Sequence, residues 1–196
     1  MGRIAMPVVL CALIAVAGGC GSTPPSHFYT LSATIKPAAM SSSVSVSVGP
    51  VGVPAMVDRP EIVVRTSANE VWLDEFNRWA SPLEDSLGRV VAENLVGMLG
   101  TPHVTVFPQT GAANADYRVV IQVQTFQSAP GEAAVLDAVW TVRRSKDAKA
   151  QTGRTSIREA TQGKGYDALA AAHSRAVAQL SREIADAVRV LERGGG

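Results

Sequence analysis

Few side chains in this sequence stand where they could do covalent or acid–base chemistry, and the foremost is a thiol. Cys20 follows the small residues Ala17-Gly18-Gly19 at the end of an apolar leader, where exported chains are cut. The three histidines, His27, His103 and His173, are far apart, and none has a His or Cys neighbour at metal-ligand spacing. His173 falls on the apolar stripe of a helical segment, which reads as a partly buried, hydrogen-bonded histidine. A serine nucleophile needs a strained turn such as G-x-S-x-G, and the chain has none. Gly163-Lys164-Gly165 lacks the spacing of a phosphate loop and reads as a turn. Glu84 and Asp85 are successive helix positions, about 100° apart around the axis. Asp74 and Glu75 fall on opposite faces of a strand. The expectation is a protein without catalytic residues, metal site or cofactor, and not an enzyme.

The leader carries one cation, Arg3, and then no charge from Ile4 to Gly19. A cationic start, a short apolar core and a small-residue end make a secretory signal. The cysteine directly after it resembles the lipobox of bacterial lipoproteins, although Ala17 stands where the usual box has Leu. The resemblance implies cleavage before Cys20 and a diacylglycerol thioether with further fatty acyl (palmitate-type) chains on that residue. A plain cleaved signal and a membrane-spanning helix are the alternatives. The charge-free run falls short of the roughly 20 residues that span a bilayer, and no basic stop-transfer cluster follows. Each buried methylene contributes about 0.8 kcal/mol, so two or more chains anchor stably where one does not. Gly21 follows the cysteine. In Gram-negative lipoproteins an Asp there retains the protein in the inner membrane, so its absence implies the outer membrane, facing the periplasm.

Without Arg3, basic and acidic residues balance at 17 each. Nothing forms the basic face of a nucleic-acid binder or a polybasic membrane patch. Cys11 lies in the leader and Cys20 at its border, so the body has no thiol for a disulfide or a thiolate metal site.

Three stretches are expected: 1–19 as signal peptide, 20–43 as Cys20, which the lipobox resemblance implies is lipidated, with a flexible tether holding a short edge strand at His27–Leu31, and 44–196 as one folded domain. Val44 to Val48 alternates as a half-buried strand does, ended by Gly49-Pro50. An extended loop holds Pro54 and Asp58-Arg59-Pro60. Glu61 to Thr66 and Glu70 to Phe76 read as a hairpin turned at Ser67-Ala68-Asn69. Ser81-Pro82-Leu83-Glu84 reads as a capping box with proline at the first helical position. The helix then buries Leu83, Leu87, Val90, Val91, Leu95 and Met98 and stops at Gly100 and Pro102. Strands are expected over 103–107, 117–127, 133–144 and 151–161. A closing helix spans about 167–191, with an apolar stripe from Leu169 through His173, Val177, Leu180, Ile184 and Val188 to Leu191. The fold class is α+β: a mixed, largely antiparallel sheet packed against two long helices in a single domain.

Four residues are candidates for a partner interface. Asp58 and Arg59 either fix their loop as an ion pair or meet a partner. Trp72 and Trp79 flank the passage from hairpin to helix and are either core residues or a protein or lipid contact. Tryptophan and arginine are enriched at interface hot spots.

Several segments, taken in order, resemble one lipoprotein family. They are Phe28-Tyr29-Thr30-Leu31, Val48-Gly49-Pro50-Val51, Pro54, Asp58-Arg59-Pro60-Glu61-Ile62-Val63-Val64-Arg65, Trp72-Leu73-Asp74-Glu75-Phe76, Arg78-Trp79-Ala80-Ser81-Pro82-Leu83 and the end of the last helix. Phe28 replaces a tyrosine of the pattern, and Met56 stands where an aromatic is common. The family is the PqiC-like group of ABC-type transport auxiliary lipoprotein components. The resemblance implies an outer-membrane lipoprotein partnered by an MCE-domain periplasmic protein, with phospholipid or another apolar molecule as cargo and no catalytic residue. A homo-oligomeric ring would suit a tubular partner. A lipoprotein subunit of a secretion or envelope-assembly complex, and a soluble lipid carrier, are the other readings.

Overall fold

The computed structural model describes residues 24–36, 39–109 and 112–194. Cys20 and the leader over 1–19 lie outside the described residues. Eight strands and two α-helices follow in the order β1 (His27–Tyr29), β2 (Val46–Gly52), β3 (Glu61–Arg65), β4 (Val71–Trp79), α1 (Leu83–Leu99), β5 (Val104–Val106), β6 (Tyr117–Ala129), β7 (Ala133–Arg144), β8 (Ala150–Ala160) and α2 (Tyr166–Arg193). The fold is α+β, one mixed sheet with both helices packed on it. Most paired residues belong to the antiparallel ladders β3–β4, β6–β7 and β7–β8, while the parallel pairings are short.

β6 organises the sheet. Tyr117, Val119, Ile121 and Val123 are buried, and the residues between them face outward, which is the alternation that one helix-covered face demands. β7 lines one edge of β6 along its whole length. On the other edge, β2 pairs with the first half, ending at Gly52↔Gln122, and β3 joins at Val64↔Ser128. β2 and β3 are thus successive pieces of one line beside β6. The chain between them makes an excursion over 53–60, which carries Asp58 and Arg59.

Both helices bury their predicted stripes. Leu83, Leu87, Val90, Val91 and Leu95 of α1 and Leu169, Val177, Leu180, Ile184 and Val188 of α2 join one contiguous core with the strands. Gly100 closes α1 in the left-handed conformation at φ 63°, its N–H donating to the Val96 carbonyl.

Three local expectations change. The capping box does not form. α1 starts at Leu83 after Pro82, with no side-chain cap, and the Ser81 hydroxyl pairs instead with Ser86 Oγ at 2.8 Å. Proline at the cap leaves Ser81 one residue too early to reach the first free amides. Gly49-Pro50 does not end β2. The strand continues to Gly52 with a register shift between Val48 and Val51, because a bulge absorbs the missing proline donor.

The described residues before Val44 are also held to the body, by one buried side chain and several backbone hydrogen bonds, where composition suggested a free tether. Leu31 is 1% exposed, and its carbonyl accepts from the Arg89 guanidinium at 2.8 Å. The amides of Thr34 and Ile35 donate to Asn94 Oδ1, and those of Ser41 and Ser42 to the Gly100 carbonyl. Small polar composition reads as tether, but its amides find acceptors that only the folded helices supply. Asn94 is fully buried and also donates to Ser181 of α2. Asn94→Ala is expected to lower stability by about 1–3 kcal/mol, since three groups lose their partner. Limited proteolysis should then cut near residues 32–43 sooner than in the parent.

Candidate docking surface

The β3–β4 hairpin stands at the end of the sheet and carries the most concentrated exposed apolar group among the described residues. Val71, Trp72 and Leu73 are 44%, 53% and 37% exposed, and Met56 of the 53–60 excursion is 50% exposed. Consecutive strand residues point to opposite faces, so exposure of all three means that the tip stands clear of the body on both faces. Only Asn77 to Trp79 of β4 pair with β1, so the outer edge of β4 from Val71 to Phe76 has no strand beside it among the described residues.

The tip is held in shape. The Arg65 guanidinium donates to the carbonyls of Ser67 and Ala68 at 2.9 and 2.6 Å, and the Thr66 hydroxyl bonds the Glu70 carboxylate at 2.8 Å. Beside it lies a groove of about 330 Å³ lined by Met56, Val57, Val63, Val71 and Phe126, with Arg65 and Glu70 also on its wall.

The base of the hairpin is fixed by Asp74. The ladder shifts register between Glu61↔Arg78 and Ile62↔Asp74, which leaves extra residues on β4. Asp74 Oδ1 accepts from the amides of Phe76 and Asn77, and Oδ2 from the Asn77 side chain at 2.8 Å. Burial pushes this carboxyl up, but bonds from Tyr166, Asn77 and those two amides outweigh it and hold it below the usual carboxylate range. Asp74 is therefore a structural anion. Sequence reasoning had seen only a poor catalytic pair with Glu75.

The same shift decides the two tryptophans. Cross-strand partners share a face, so the extra residues invert the alternation and bring Trp72, Asp74 and Trp79 to one face. Trp79 is 6% exposed and packs edge-on against Phe126 and His173. It belongs to the core, which corrects its expected place at an interface. Trp72 lies beyond the part of that face which the core covers, and is open.

Asp58 and Arg59 are both exposed, and among the described residues no ion pair joins them to each other or across the loop. The pair does not fix its loop. The backbone does so through amides of Val57 and Asp58 that donate to the Pro54 carbonyl. Sequence reasoning found Trp72 but missed Met56, Val71 and Leu73. Three apolar residues in a row, Val71-Trp72-Leu73, break strand alternation and were the available signal. Met56 reaches them only through the fold.

A second cleft of about 480 Å³ lies between β1 and the start of α2, lined by Phe28, Tyr29, Ser32, Asp167 and Arg175 among others. No group of His, Cys, Asp and Glu among the described residues could hold a metal ion. No described helix is long and apolar enough to cross a membrane.

Comparison with known proteins gives two results of weight. Residues 29–185 match the family model of the ABC-type transport auxiliary lipoprotein component. Among solved structures, the chain resembles the crystal structure of an uncharacterized protein, at 22% identity over 84% of this chain and 99% of that one, with a TM-score of 0.69. It also resembles a Xanthomonas campestris protein of the family DUF330, at 21% identity over 81% and 91% of the two chains and a TM-score of 0.61. At these identities the likeness shows the fold. No curated protein matches.

Proposed function

The chain belongs to the family of ABC-type transport auxiliary lipoprotein components, and from that premise we propose that it is a non-enzymatic docking subunit at the periplasmic face of the outer membrane. Acyl chains on Cys20 hold it there. Its folded domain receives the far end of a transport system whose periplasmic partner is an MCE-domain protein and whose cargo is phospholipid or another apolar molecule. The mechanism is positional, since a receptor confined to a membrane surface raises the effective concentration of its partner there. The observation that carries the reading is the family match along nearly the whole described fold, from the end of β1 into α2. The space between sheet and helices is filled by one contiguous apolar cluster, which supports a docking role over that of a soluble carrier enclosing its cargo. Asp58, Arg59 and the unpaired edge of β4 from Asp74 to Phe76, behind the hairpin tip, are the surfaces offered to a partner or to neighbouring copies in a ring.

Affinity capture of the tagged protein from detergent-solubilised membranes tests this. An MCE-domain protein is expected among the co-purified chains. Recovery of secretion or envelope-assembly components alone would favour the rival reading. Cys20→Ser is expected to move the protein from the membrane to the soluble periplasmic fraction, read by membrane fractionation, because the acyl chains supply the anchoring energy.

A further inference from the structure

The chain that enters β1 does so from the end of the sheet where the hairpin tip lies. β1 runs parallel to β4 in the register His27↔Asn77, so the chain before His27 approaches from the Val71 end of β4. Val71 pairs with Arg65 and Arg78 with Glu61, so the bulged residues of β4 shorten the span from Val71 to the base of the hairpin to about 13 Å. Cys20 lies seven residues before His27, a distance of at most about 24 Å. A domain of this length is about 40 Å across, so the tether is shorter than the body it holds and cannot let the body turn freely on the bilayer. Of the ends of the sheet, the hairpin end is the one toward which the anchored cysteine is drawn.

That end is also apolar. Val71, Trp72, Leu73 and Met56 are all at least 37% exposed. The two ionic groups of the turn are engaged locally, Arg65 by carbonyls and Glu70 by Thr66. Tryptophan favours the membrane interface, where its ring is half in the headgroup layer. We propose that the tip of the β3–β4 hairpin, led by Trp72, seats in the interfacial layer of the bilayer that carries the lipid anchor. It thereby sets the orientation of the domain and leaves the surfaces behind the tip to a protein partner. This rests on the lipid-anchor reading of Cys20.

The test uses the chain from Cys20 onward, in which Cys20 is the one cysteine left and the described fold is intact. It is coupled through that thiol to a maleimide-bearing phosphatidylethanolamine in vesicles of phosphatidylethanolamine and phosphatidylglycerol, with or without brominated acyl chains. Tryptophan emission is expected to be quenched in the brominated vesicles. Trp72→Phe should abolish that quenching, because Trp79 and Trp140 are buried. Equal emission in both vesicles, as a tip that serves a protein partner would give, overturns the proposal. So does quenching that survives Trp72→Phe. Failure of the anchor reading is seen separately, as an unmodified thiol in mass spectrometry of the native product, and the coupled measurement does not depend on it.

Discussion

Acidification from about pH 7 to about pH 4 is expected to remove about 3 kcal/mol of stability through His173 alone. The residue is fully buried. Its ring stacks on Phe126 with centroids 4.0 Å apart and meets Trp79 edge-on at 5.9 Å. Nε2 bonds Ser128 Oγ at 2.9 Å, and Nδ1 has no partner. Burial pulls the imidazole down from 6.5 to about 3, since nothing nearby compensates a charge. The sign follows from which state takes the proton first. The unfolded chain binds it near 6.5 and the folded chain only near 3, so the contribution is complete above about pH 6.5 and fades as pH falls through that window. Asp74, Asp116 and Asp137, all held below the usual carboxylate range, lose stability in acid as well. The effect of His173 is therefore read by difference. Urea unfolding of the parent and of a His173→Leu, Ser128→Ala double variant, which leaves no orphaned hydroxyl, should give a gap between the two pH values that is about 3 kcal/mol smaller in the variant. Parallel losses in both proteins would show that the histidine is not neutral in the core.

The second large effect is steric. Trp140 of β7 faces Gly153 of β8 across the ladder, and its indole lies over that glycine beneath α2. A Cβ at Gly153 would stand 2.3 Å from Cζ2 and 2.7 Å from Cε2 of the ring. The indole cannot move without cost, because Nε1 donates to Thr155 Oγ1 at 2.9 Å and Thr155 donates on to Glu183 of α2. Overpacking costs about 1–3 kcal/mol, and the displaced ring also loses a buried hydrogen bond. Gly153→Val is thus expected to destabilise the domain by about 2–4 kcal/mol in urea unfolding. Trp140→Leu in the same chain makes room and should make the pair less destabilising than the sum of its parts. A Gly153→Val protein within about 0.5 kcal/mol of the parent would refute this packing account.

What the chain determines locally and what it leaves to folding divide along a clear line. Alternation in β6 and the three–four stripe of α2 are visible in the sequence, because each is the imprint of one face meeting one core. The hairpin turn at Ser67-Ala68-Asn69 and the stop at Gly100 are equally local, set by backbone preferences. The resemblance carried by Asp58 to Arg65, Trp72 to Phe76 and the closing helix is likewise legible, since it needs only residue order. Tertiary structure alone decided that β2 and β3 lie end to end along β6, that the amides of Thr34, Ile35, Ser41 and Ser42 find Asn94 and Gly100, and that Trp72 is open while Trp79 is buried. Each of these depends on partners 45 or more residues away, or on a bulge that inverts a strand's two-residue period. Side-chain pattern records which face is buried; it does not record how far the core extends along that face.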